Sequence, residues 1–173
     1  YNPRAWLVIT DISLVDKDFR ADLGFVPRTD VIRLGQAVQR IFYPQKSIFN
    51  THRLMLLLLN DHKPSESFRK TDHTYSLRYG AQFRNLANAS IYLSKIYTYL
   101  NFSFDPSQKE ESIPLPLNTF YNYNQIQLNY EPNNKKLLTY GIDITLGQFF
   151  NGSIHSFITD INYRMQPYAN IGF

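Results

Sequence analysis

The stretch TYSLRYGAQFR, residues 74–84, decides the fold because large apolar and polar side chains alternate along it without a break. The apolar or aromatic side chains occupy every second position: Tyr75, Leu77, Tyr79, Ala81 and Phe83. Successive side chains of a β-strand point to opposite faces of its sheet, whereas one face of a helix repeats about every 3.6 residues. The stretch therefore predicts a β-strand with one apolar face and one polar face.

The same alternation recurs along most of the chain. The other segments that show it are residues 6–16, 31–43, 120–130, 138–146 and 153–165. Residues 89–104 are also strand-like, but their pattern changes phase near residues 94–96, which predicts a β-bulge there. Residues 52–59 are apolar on both faces, and a further strand begins at residue 169. We therefore expect an all-β protein with antiparallel strands.

The connections between these segments are predicted to alternate in length. Long polar connections are expected at residues 16–30, 60–73 and 105–118, and short ones at 44–47, 85–88, 131–135 and 166–167. Asn151 and Gly152 predict a tight type I′ hairpin turn. Short turns at one end of the strands and longer loops at the other are typical of outer-membrane barrels.

Strand length separates two architectures, a membrane barrel and a large soluble β-sandwich. The alternating segments run to about a dozen residues, whereas strands of globular proteins most often have roughly 5–6 and a tilted membrane strand needs about 9–11. We therefore predict an antiparallel up-and-down transmembrane β-barrel of the outer membrane, with residues 1–173 as a single region. The last strand is too short to close a barrel, so the chain is interpreted as a segment of a larger one.

Composition excludes several other classes of protein. The chain has no cysteine, which excludes a disulfide framework and thiolate metal sites. Its longest apolar run, residues 54–59, is far shorter than the roughly 20 residues of a membrane-spanning helix. The net charge is +4, but the basic residues are scattered rather than clustered, so nucleic acid is not an expected partner. No cofactor is predicted.

Three stretches together resemble one family. They are DFRADLGFVPRTD at residues 18–30, NFSFDP at 101–106, and GQFFNG at 147–152 followed by YRMQP at 163–167. The chain is similar in these places to a Bacteroidetes group of outer-membrane proteins of unknown function, which join an N-terminal family 9-like carbohydrate-binding domain to a C-terminal β-barrel. The resemblance implies that this chain is part of the barrel and that the carbohydrate-binding domain and flanking strands are not present in it.

The resemblance also implies a location and a set of partners. The chain is expected in the outer membrane of a Gram-negative bacterium, in contact with the lipid bilayer and lipopolysaccharide, and linked to glycans through the missing domain. The family has no established catalytic residues, so none are transferred to this chain.

Two Asp-His pairs at the ends of one predicted loop are the candidate chemical cluster. Asp61 and His62 begin the polar connection 60–73, and Asp72 and His73 end it. A carboxylate and an imidazole brought together by a hairpin could act as a general acid and base or as metal ligands. The simpler interpretation, which we favour, is that these are ordinary polar residues of a loop. We therefore do not predict an enzyme, although an outer-membrane hydrolase remains a third hypothesis.

The connection before the second strand contains a structural motif. Gly24 and Phe25 are followed by Arg28 and Asp30, and an Arg–Asp ion pair there would fold the loop inward. This structural role is favoured over ligand binding.

Met55, Leu57 and Leu59 lie on the second apolar face of residues 52–59 and are interpreted as a protein-packing face. They favour an accessory subunit of a larger outer-membrane complex, as the alternative to a membrane anchor or transport component. The polar positions of the strands are predicted to face the lumen: Arg33, Arg78, Gln82, Arg84, Gln127, Asp143, Asp160 and Arg164.

Overall fold

The computed structural model describes residues 5–20, 28–106, 113–133, 135–165 and, through the backbone alone, 169–172. Within them the strands are β1 (Trp6–Val15), β2 (Val31–Phe42), β3 (Phe49–Lys63), β4 (Arg69–Phe83), β5 (Asn88–Leu100), β6 (Thr119–Glu131), β7 (Leu138–Phe149), β8 (Gly152–Met165) and β9 (Ala169–Gly172). A 3₁₀ helix, Pro64–Glu66, joins β3 to β4. No helix in the described part of the chain is long and apolar enough to cross a membrane.

All nine strands belong to one sheet, in which their order is the order of the sequence. Every neighbouring pair is antiparallel, so the sheet is an up-and-down meander. The prediction of an all-β protein with antiparallel up-and-down strands is confirmed. Among the described residues β1 and β9 do not pair with each other, and the sheet is open.

The predicted long loop at residues 60–73 is wrong. β3 continues to Lys63 and β4 starts at Arg69, so only residues 64–68 connect the two strands. The acidic residues Asp61 and Asp72 remain in the ladder because each forms an ion pair with an arginine, as described below. A register shift between Asp61 and His62 marks a β-bulge in this pair of strands.

The bulge predicted near residues 94–96 is also wrong. β5 pairs with β4 from Asn88 to Thr98 and with β6 from Asn88 to Leu100, and the register does not shift along either pair. The change of phase arises because Lys95 stands on the otherwise apolar side, between Tyr75 and Asn124.

The hairpin between β7 and β8 turns one residue earlier than predicted. Phe149 pairs with Gly152, so Phe150 and Asn151 form the turn, and Phe150 adopts a positive φ of 51°. Its ring lies 5.3 Å from the ring of Tyr121 and 4.8 Å from that of Phe149. These aromatic contacts explain why a phenylalanine occupies a position that glycine or asparagine would adopt more readily.

The register gives the sheet an apolar face and a polar face. A row of aliphatic side chains crosses the apolar face as direct cross-strand neighbours from β1 to β7: Val8, Val38, Leu56, Leu77, Leu93, Ile126 and Leu146. The side chains predicted to face a lumen stand together on the polar face, apart from Arg84, which lies beyond the end of β4.

The sheet forms a single layer, so it has little interior of its own. The buried hydrophobic residues lie mostly near strand ends and connections: Ala5, Ala81, Ala87, Tyr99, Leu100, Leu115 and Tyr123. No large side chain in the described part of the chain is fully buried. Both faces are therefore open to something other than this sheet.

Candidate functional site

The polar face carries a bidentate ion pair between neighbouring strands. Arg33 of β2 is the cross-strand partner of Asp61 of β3, and its Nε and Nη2 donate to Asp61 Oδ1 and Oδ2 at 2.8 and 2.7 Å. Asp61 is only 5% exposed, whereas more than half of the Arg33 side chain is open to solvent. The fork geometry makes this one of the stronger kinds of charge-assisted contact.

A second arginine neutralises the carboxylate next to Asp61. Asp72 of β4 lies directly across the ladder from Asp61, and two facing carboxylates repel each other. Arg28, in the connection that precedes β2, donates to Asp72 Oδ2. The two arginines therefore allow two acidic residues to stand side by side on one face of the sheet.

These ion pairs form one wall of a large open hollow of about 990 Å³ on the polar face. Ser13, Thr74, Thr98 and Asn101 also line it, together with Phe102. The hollow is mixed in character, with hydroxyl and amide groups beside the ion pairs.

The two histidines of the predicted cluster point to the opposite face. His73 pairs across the ladder with Asn60, whose Oδ1 lies 2.9 Å from His73 Nδ1. The rings of His62 and His73 are 5.9 Å apart. Because neighbouring residues of a strand alternate in direction, each predicted Asp-His pair is divided between the two faces.

The four residues of the predicted cluster therefore lie in strands and do not form a loop cluster of carboxylates and imidazoles. No group of His, Cys, Asp or Glu side chains among the described residues is arranged to hold a metal ion. The carboxylates of this region are engaged by arginine, and His73 is engaged by an amide oxygen.

The loop motif is present in part. Gly24 and Phe25 lie outside the described residues. The predicted ion pair between Arg28 and Asp30 is wrong, because Arg28 pairs with Asp72 on β4 instead. Asp30 instead accepts hydrogen bonds from the backbone N–H and hydroxyl of Ser65, and the hydroxyl holds the pKa of this exposed carboxyl below its ordinary value.

The connection that follows β3 has its own charged contacts. Lys63 Nζ donates to Glu66 Oε1 at 2.5 Å, and this hydrogen bond lowers the pKa of the Glu66 carboxyl. Arg69 reaches the other oxygen of Glu66 at 2.6 Å. Glu66 thus links the 3₁₀ helix to the end of β3 and the start of β4, and Ser65 links it to Asp30 in the connection before β2.

The predicted packing residues Met55, Leu57 and Leu59 stand on the polar face of β3 and are half-buried. Ala37 of β2 pairs with Leu57, and Ile9 of β1 pairs with Ala37. The polar face is thus apolar over part of β1–β3. Beyond β3 the same row becomes polar, with the hydroxyls of Ser76 and Ser94 2.7 Å apart.

A second, smaller hollow on the polar face cannot be predicted from the alternation of residue types. It has a volume of about 180 Å³ and lies over Gly80 of β4, at the opposite end of the sheet from the ion pairs. Arg53 and Arg78 line it. A sequence places these residues on polar positions but does not reveal which of them are neighbours, since that depends on the strand register.

Comparisons with known proteins add no identity to this geometry. No family model matches the chain, and no curated protein or solved structure is significantly similar to it.

Proposed function

We propose that the chain forms membrane-spanning strands of an outer-membrane β-barrel that serves as a membrane anchor or a transport component. The observation that supports this proposal is the aliphatic row on the apolar face, from Val8 to Leu146. Each member of the row is 40% to 67% exposed. A soluble protein rarely leaves so continuous an apolar surface in water.

Strand length and the absence of a covering layer support the same proposal. β3 and β4 have 15 residues each and the other long strands have 10 to 14, against the roughly 9–11 that a tilted membrane strand requires. In a soluble sandwich a second sheet would cover the apolar face. No second sheet is present among the described residues.

Adjacent single-cysteine variants test the proposal because the natural chain has no cysteine. Leu146 and Thr145 are neighbours in β7 at nearly the same depth, and they point to opposite faces. Leu146→Cys and Thr145→Cys are labelled with an environment-sensitive fluorophore after folding into lipid vesicles.

Brominated lipid is expected to quench the label at position 146 strongly and the label at 145 weakly. A water-soluble quencher is expected to act in the reverse order. If both labels respond alike to brominated lipid, the apolar face is not in contact with hydrocarbon and the proposal fails.

A transport role makes a separate demand on the polar face, which must line a water-filled path. Its charges are mixed: Arg33 is paired with Asp61, and Asn129 Nδ2 donates to Asp143 Oδ1 at 2.7 Å. Such a lining is expected to give little discrimination between anions and cations. Conductance of the reconstituted protein in planar bilayers tests this role, and a silent bilayer supports anchoring alone.

The second candidate is an accessory subunit of a larger outer-membrane complex. The apolar patch of Met55, Leu57 and Leu59 favours it, because a purely water-filled lumen has no use for such side chains. Leu57→Asp is expected to reduce the mass of the assembly obtained by gentle detergent extraction, and Gln125→Asp, farther along the same polar row, is the matched control. Equal masses for both variants and the natural chain exclude this candidate.

The hydrolase hypothesis has the least support from the geometry. It requires a carboxylate and an imidazole to act together, whereas Asp61 and Asp72 stand on the polar face and His62 and His73 on the apolar one. An imidazole separated by the sheet from its carboxylate cannot be oriented by it.

A further inference from the structure

Gly80 forms the floor of the small hollow on the polar face. Its cross-strand neighbours are Arg53 on β3 and Ser90 on β5, and Arg78 and Gln82 follow on either side of it in β4. Since glycine has no side chain, the centre of this ring of polar residues is open. A Cβ built on Gly80 would lie 3.8 Å from Ser90 Cβ, so there is room above the backbone.

Two cations face this space without a carboxylate partner. No Asp or Glu oxygen in the described part of the chain lies within 4.0 Å of the guanidinium group of Arg53 or Arg78. Arg78 rests on the ring of Tyr92, with its Cζ 4.5 Å from the ring centroid. This stacking holds the guanidinium in place and leaves its N–H donors free for another group.

Most of the remaining lining consists of neutral hydrogen-bonding groups, and Met55 adds an apolar side chain: Gln39, Gln82, Asn88, Ser90 and Asn129 are the polar members. The hydroxyl of Ser90 is shielded from water and has no hydrogen-bond partner among the described residues. Because water does not reach this oxygen, Ser90 shapes the wall of the hollow and does not contact a bound group.

We propose that the Gly80 hollow binds one small oxyanionic group, a phosphate or a carboxylate, between the guanidinium groups of Arg53 and Arg78. Guanidinium forks match the geometry of both groups and bind them through paired charge-assisted hydrogen bonds. The volume of about 180 Å³ suits a group of this size together with a few water molecules.

The larger hollow at the other end of the sheet does not offer the same site. Its arginines, Arg28 and Arg33, are already paired with Asp72 and Asp61. An added anion there would compete with a carboxylate that is held in the fold. Among the described residues, Arg53 and Arg78 have no such carboxylate competitor within contact distance.

One acidic residue lines the hollow and weakens the expected affinity. Glu131 of β6 is part of its wall, and Asp143 lies one strand farther along, where it accepts from Asn129. The hollow therefore contains two positive charges and one negative charge. Replacing Glu131 by glutamine is expected to strengthen anion binding severalfold, because a repulsion is removed while the shape is kept.

Calorimetric titration of the folded full chain with inorganic phosphate and, separately, with acetate tests the proposal at low ionic strength. Saturable binding at one site per chain is expected for at least one of the two anions, and their relative affinities identify the preferred group. Arg53→Gln and Arg78→Gln are each expected to weaken it by about tenfold or more, equivalent to roughly 1.4 kcal/mol. Gly80→Leu, which fills the floor, is expected to abolish it.

Arg40→Gln is the matched control, because it removes the same charge from β2 on the apolar face, where Arg40 stacks on Trp6. It is expected to leave anion binding unchanged. An equal loss in Arg40→Gln and Arg53→Gln means that only net charge attracts the anion, and it overturns the proposal. Absence of saturable binding of both anions overturns it as well. The site needs only the polar face, so these results are independent of whether the apolar face meets lipid.

Discussion

Ile126 offers the sharpest test of whether the apolar face meets hydrocarbon. It lies in β6 between Leu93 and Leu146 and is 44% exposed. At roughly 3.4 Å per residue it is about 17 Å along the strand from Glu131 and about 24 Å from Thr119. A tilt of about 45° converts these lengths to about 12 and 17 Å of height, which places Ile126 near the middle of a bilayer.

The expected cost of Ile126→Arg differs sharply between the two environments. An arginine on the lipid face near the midplane of a barrel destabilises it by about 2–4 kcal/mol. The same replacement on the water-exposed face of a soluble sheet changes the stability by no more than about 0.5 kcal/mol. The difference is several times the error of a careful unfolding experiment.

Gln127→Arg is the matched control, since Gln127 is the next residue of the same strand and points to the polar face between Tyr92 and Thr145. Urea unfolding of both variants in lipid vesicles, followed by Trp6 fluorescence, measures the free energies of unfolding. Ile126→Arg is expected to lose at least about 2 kcal/mol relative to Gln127→Arg. Equal free energies for the two variants would refute the assignment of the apolar face to lipid.

Three further predictions concern stability. Arg33→Met is expected to lower the free energy of unfolding in urea by about 2–3 kcal/mol, because it leaves the buried carboxylate of Asp61 without a partner. Asp61→Asn leaves a half-exposed guanidinium and is expected to lower it by under about 1 kcal/mol; equal losses for the two variants contradict this asymmetry. Gly147→Ala places a Cβ 2.4 Å from a backbone oxygen at φ +144° and is expected to destabilise by about 2 kcal/mol or more, while Gly141→Ala meets nothing closer than 3.7 Å and is tolerated. The hydrogen bond from the Ser65 hydroxyl lowers the pKa of Asp30, so this contact is expected to be present above about pH 4 and to be lost as the pH falls through the lowered pKa. NMR titration of the Asp30 carboxyl measures that pKa, and a value that is not lowered contradicts the prediction.

The strands could be predicted from the sequence because alternation is a local property. Residues 74–84 show which side chains share a face, and no partner strand is needed to see it. The same reasoning correctly placed Arg78, Gln82 and Gln127 on one side of the sheet. Curvature, closure and the number of layers depend on contacts between distant segments, and the alternation contains no information about them.

The ends of β3 and β4 could not be predicted because their polarity is compensated from elsewhere. Asp61 comes just after the apolar run 54–59, and Asp72 lies in the polar stretch before residue 75, so both resemble loop residues. Their partners, Arg33 and Arg28, come from β2 and from the connection before it, far away in the sequence. The prediction of an Asp-His cluster assumed that these residues lie in a loop. In a strand, neighbouring side chains point to opposite faces, so each aspartate is separated from its histidine.

The hollow at Gly80 shows how a site can arise from register alone. Arg53 belongs to β3 and Arg78 to β4, and each on its own is an unremarkable polar position of a strand. The ladder places Arg53 directly opposite Gly80 and thus diagonally next to Arg78. A shift of the register by one residue would send Arg53 to the other face and remove the pair.

The mean hydropathy of −0.35 therefore describes neither face of this sheet. It averages an aliphatic row that runs from β1 to β7 with the opposite face, where serine, arginine and glutamine side chains stand one residue away from the row on β4, β5 and β6. A sheet that faced water on both sides would not need this alignment, because nothing would favour placing one aliphatic side chain of seven successive strands in a row on the same face. The alignment of this row over seven successive strands, rather than the average polarity of the chain, is the observation that favours different environments for the two faces.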